Sequence, residues 1–65
     1  MRTLSHTQLL AVFNTTCTII EMIDDRSMKT DIVCEVHNSI SHKIDMNDRL
    51  SMKISDMILD LSVAI

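Results

Sequence analysis

The chain contains no glycine, no proline, no tryptophan and no tyrosine, and its one aromatic residue is Phe13. Average usage would place about four or five Gly and about three Pro in a chain of this length. Glycine supplies the positive φ of tight hairpin turns and bulges, and the bare backbone that cradles phosphate. Without it, phosphate-binding loops are excluded and few routes to a compact β fold remain. Proline punctuates chains. A chain with neither reads as helices joined by short polar links, and its apolar mass is Ile, Leu, Met and Val.

A concentration of positive charge is also missing. The net charge is −3, from 6 Lys and Arg against 9 Asp and Glu. The cations Arg2, Arg26, Lys29, Lys43, Arg49 and Lys53 are dispersed. No basic stripe marks a duplex-binding surface in one chain, so a nucleic-acid partner is disfavoured. Residues 3–20 carry no Lys, Arg, Asp or Glu, but their Ser, Thr, Asn, Gln and His content is too polar for a membrane span. The apolar run Leu9–Phe13 is too short for a secretory core. Asn14-Thr15-Thr16 matches a glycosylation acceptor, which means little without a secretion signal. A soluble, cytoplasmic or otherwise intracellular protein is expected, with no membrane partner.

What is present is apolar residues, 46% of the total, in helical order. Sixty-five residues make a single domain, 1–65, of marginal stability on its own. Ser5-x-x-Gln8 fits a capping box. Leu9, Val12, Phe13, Thr16, Ile19, Ile20 and Ile23 follow at steps of three and four, with Phe13 and Ile20 near the centre of the stripe. After Asp24-Asp25-Arg26-Ser27, a second stripe comprises Ile32, Val33, Val36, Ile40 and Ile44. The third is the clearest: Leu50, Ile54, Met57, Ile58, Leu61 and Ile65, with a weaker apolar edge of Met52, Leu59 and Val63 almost opposite. A helix apolar on two sides is either covered on both or meets two partners.

The expected fold is all-α: a small antiparallel bundle of three helices, at about residues 5–24, 28–44 and 48–64, completed by dimerisation. One point is open. "IDDRSMK" at 23–29 is echoed by "MNDRLSMK" at 46–53. If the echo marks two equivalent junctions, Asn47 or Asp48 caps a third helix. Against this, the apolar phase runs unbroken from Val33 to Ile65, with Asn47 on its seam, where an Asn can fix register and dimer state. The alternative is a helix, a turn and one long helix.

Residues able to carry chemistry are few. Cys17 and Cys34 lie at equal distance from the first turn but off the facing stripes, and read as separate free thiols. Cys34-x-x-His37 offers one pair of metal ligands where zinc wants four, so Cys34 and His37 are weak candidates only. The simpler reading of His37 is a partly buried ring beside the stripe. Seven Asp and two Glu are scattered, with no close carboxylate pair. No enzyme activity, catalytic residue or cofactor is expected. The six Met residues read first as packing filler, and second as an adaptable binding surface.

The function these features favour is a non-enzymatic interaction module. It would be a small regulator, inhibitor or adaptor that docks an apolar helical face on a protein partner. Candidate interface residues are Leu50, Ile54, Met57, Ile58, Leu61, Met52, Leu59 and Val63, serving a homodimer and a further protein. The alternatives are a dimeric nucleic-acid-binding regulator using Arg26, Lys29, Arg49 and Lys53, and a small metal-binding helical protein.

Overall fold

In the computed structural model, which describes residues 2–65, the chain forms three 16-residue helices: α1 (His6–Glu21), α2 (Arg26–Ser41) and α3 (Arg49–Ala64). No strand occurs among the described residues. The second junction is real, so the long-helix alternative falls. Each start has a side-chain cap. Ser5 and Gln8 form the expected capping box: the Gln8 N–H donates to Ser5 Oγ at 3.1 Å, and the Ser5 N–H donates to Gln8 Oε1 at 2.9 Å.

The echoed stretches are two copies of one device. Asp25 Oδ1 accepts the N–H groups of Ser27 and Met28 at 2.9 and 3.4 Å. Asp48 Oδ1 accepts those of Leu50 and Ser51 at 3.0 and 3.3 Å. In both, an Asp caps and the following Arg is the first helical residue. Asn47 is not the cap. Its N–H donates to Asp45 Oδ1 at 2.9 Å in the link before α3. A carboxylate suits the positive end of a helix better than an amide, because it adds charge to hydrogen bonding.

The helix ends reflect the missing glycine. No described residue has positive φ. Met22 and His42 close α1 and α2 in the right-handed region, and the last carbonyls are met by tightened turns. The Met22 N–H reaches Ile19 O at 3.1 Å and the Lys43 N–H reaches Ile40 O at 2.8 Å. Consequently α1 and α2 stop three residues earlier than the periodicity predicts. Ile44 lies outside α2 yet still packs against the core.

The core runs from one end of the body, which measures 35 × 19 × 16 Å, to its middle. Leu9, Ile40, Ile54 and Ile58 form the buried cluster, with Leu4, Val12, Phe13, Val36 and Ile44 against it. Those in helices come from the first half of α1, the last half of α2 and the first three turns of α3. So α2 runs antiparallel to the other two, and α1 and α3 run parallel. Each fully buried Leu or Ile contributes about 1.5–3 kcal/mol of transfer free energy. In α1, Leu9 and Thr16 are buried, while Phe13 and Ile20 are only half-covered. The centre of the stripe is therefore shifted from the expected pair.

The helices do not pack equally. α3 lies against both α1 and α2, and these two, although consecutive, meet least. α3 achieves this with a mixed inner face of Ser51, Ile54, Ser55 and Ile58, all buried. Side-chain size at a contact sets how closely helix axes approach. The two serines let α3 settle between its neighbours, where larger residues would hold it off. Among the described residues no helix is long and apolar enough to cross a membrane.

Candidate docking surface

Placing α3 inward fixes what it shows to solvent. Around the helix at 3.6 residues per turn, Arg49, Lys53, Asp56 and Asp60 share an outer strip about 60° wide. All four are exposed. An apolar edge flanks the strip on each side. One is Leu50, Met57, Leu61 and Ala64, in which Leu50 is 48% and Met57 38% exposed. The other is Met52, Leu59 and Val63, with Val63 85% exposed. The predicted interface set is thus divided. Ile54 and Ile58 belong to the chain's own core, Leu61 and Met52 are half-buried, and Leu50, Met57, Leu59 and Val63 face solvent.

At the start of α3 an open groove of about 550 Å³ is lined by Met46, Arg49, Leu50, Met52, Lys53 and Asp56. It falls on the second echoed stretch. A smaller apolar groove, about 280 Å³, opens where α1 and α2 diverge, between Ala11, Thr15 and Ile19 on one side and Val36 on the other. The five methionines among the described residues are not the packing filler that composition suggests. Met22, Met28, Met46 and Met57 are exposed and Met52 is half-buried.

One constellation has no signal in the sequence. His6 Nε2 lies 2.8 Å from Asp48 Oδ2, across 42 positions of chain. Asp48 therefore caps α3 with one oxygen and meets the first residue of α1 with the other. The Leu4 N–H donates to Lys43 O at 2.8 Å alongside. The His6 hydrogen bond, then the Ser51 N–H, hold the Asp48 carboxyl below its ordinary value, against a small opposing effect of burial. This is the one ion-pair contact among the described residues. The groups bind each other, and the arrangement is a structural joint.

The remaining candidates stay apart. Cys17 is half-buried and Cys34 exposed, both as free thiols. His37 is half-buried, beside the α2 stripe. Among the described residues no three His, Cys, Asp or Glu stand close enough to hold a metal ion together. Arg26 and Lys29 sit on the first turn of α2, while Arg49 and Lys53 sit on the first turns of α3. Because α2 and α3 are antiparallel, these pairs occupy opposite ends of the body.

The fold and surface define a small all-α protein, a three-helix bundle with an outward-facing amphipathic third helix. No family model, no curated protein and no solved structure matches the chain.

Proposed function

We propose that this protein is a non-enzymatic interaction module: a small regulator, inhibitor or adaptor that acts by docking the outer surface of α3 on another protein. The observation that carries the reading is the exposure of Leu50, Met57, Leu59 and Val63 on a helix whose other face is already spent on the core. These residues stand on two apolar edges that flank the charged strip, and helix-in-groove recognition needs only apolar anchors at helical spacing. The intracellular location expected from the sequence belongs to the same reading.

The test is affinity capture from the source organism's extract, with Leu59→Glu and Val63→Glu as paired controls. Both positions are exposed, so the variants keep the fold. A protein retained by the native chain and lost with either variant supports the docking role. Equal recovery with all three chains refutes a role for this surface. The same experiment reads the rival: recovery of nucleic acid that falls steeply with salt favours a nucleic-acid-binding regulator.

A further inference from the structure

We propose that one occupant of the α3 surface is a second copy of this chain, with the two α3 helices antiparallel about a two-fold axis at Met57. The inference rests on the docking reading above and names a partner for the same surface.

Leu50, Met57, Leu61 and Ala64 recur at intervals of seven, four and three residues, the spacing of a helix–helix seam. Turned end for end about Met57, Leu50 meets Ala64 of the second copy, Met57 meets Met57, and Leu61 falls against the aliphatic stem of Lys53. The charges match as well. Lys53 and Asp60 border the seam on the same side, and reversal about Met57 brings them within one residue of opposition. Neither has an ion-pair partner in its own chain among the described residues. Arg49 and Asp56 lie farther round the helix from this edge, so the matching charges are the Lys53–Asp60 pair and its symmetry copy. Parallel pairing would set Lys53 on Lys53 and Asp60 on Asp60, and like charges in opposition suppress a pairing. A foreign helix of uniform charge would match one half of the strip and oppose the other. The two-fold, self-matching patch is also the commonest arrangement of small oligomers.

The seam is one helix long, at the low end of specific interfaces, so a dissociation constant around micromolar is expected. Sedimentation equilibrium of the full chain across the micromolar range reads it, with circular dichroism confirming that each variant is folded. Met57→Glu sets two like charges against each other on the axis and should weaken association at least about 100-fold. Lys53→Glu or Asp60→Lys alone should weaken it about tenfold. The two changes in one chain, or the single variants mixed, should restore it, which a merely structural role for either residue would not do. A monomer at every concentration overturns the inference, as does a dimer indifferent to Met57→Glu, or single variants whose combination fails to recover. None of these results touches capture of a foreign protein through Leu59 and Val63, so the two readings fail separately.

Discussion

The starts of α2 and α3 carry the same local chemistry and bear different loads. Asp25 and Asp48 each cap a helix through one carboxylate oxygen, and an Arg follows each. Among the described residues the Asp25 side chain makes no further hydrogen bond. Asp48 also meets His6 and stands beside the Leu4–Lys43 backbone bond, so it joins the starts of α1 and α3. The buried cluster begins at that same end. A sequence motif therefore sets the local conformation of a junction, while its share in stability comes from what the chain brings alongside.

The largest effect should come from breaking the core behind the second junction. Ile54 is 2% exposed. Ile54→Asp buries an unpaired charge and should cost several kcal/mol, enough to abolish cooperative unfolding. Circular dichroism melting checks this, and a native-like transition would show that the core is not organised around Ile54. Next comes the direct contrast of caps. Asp25→Ala should cost about 1 kcal/mol in chemical denaturation. Asp48→Ala should cost more, because it also frees His6. Equal losses would mean that the His6 joint adds nothing.

Acid titration sharpens the same contrast. A carboxyl held below its ordinary value of 3.8 stabilises the fold fully above that value. The contribution is lost as pH falls through the lower, folded value. The stability gap between the native chain and Asp48→Asn should thus close as pH falls below 3.8. A gap that persists into stronger acid would contradict the shift. The smallest effect is expected at Asn47→Leu. An exposed residue that is neither cap nor seam should change stability by no more than about 0.5 kcal/mol. A clear rise in melting temperature would instead favour a seam role for Asn47.

The sequence made local features readable and left distant ones silent. The helices, the Ser5–Gln8 box and the apolar phase of α3 depend on neighbours three or four positions apart, and periodicity reports those directly. The echo was legible as a question, and its answer turned on Asp against Asn at adjacent positions, where both suit a cap. The His6–Asp48 contact joins parts of the chain that share no pattern. Burial of Ser51 and Ser55 was equally hidden, since a small polar residue on a helix reads as solvent-facing until two neighbours close over it. The outer face of α3 was half legible: both apolar edges were visible, but which residues the core would consume was decided only by where α1 and α2 lie.

The parallel course of α1 and α3 has a mechanical consequence. With three helices, the chain enters the body at one end and leaves at the other. Tension applied through the two termini would pull α1 and α3 past each other along their shared length. Leu9, Ile54 and Ile58, with the His6–Asp48 joint beside them, would then be strained together rather than peeled apart in turn. A hairpin of two helices, gripped by adjacent termini, would open like a zipper under a smaller force. This bundle should resist extension as a lap joint does, yielding abruptly and as a whole.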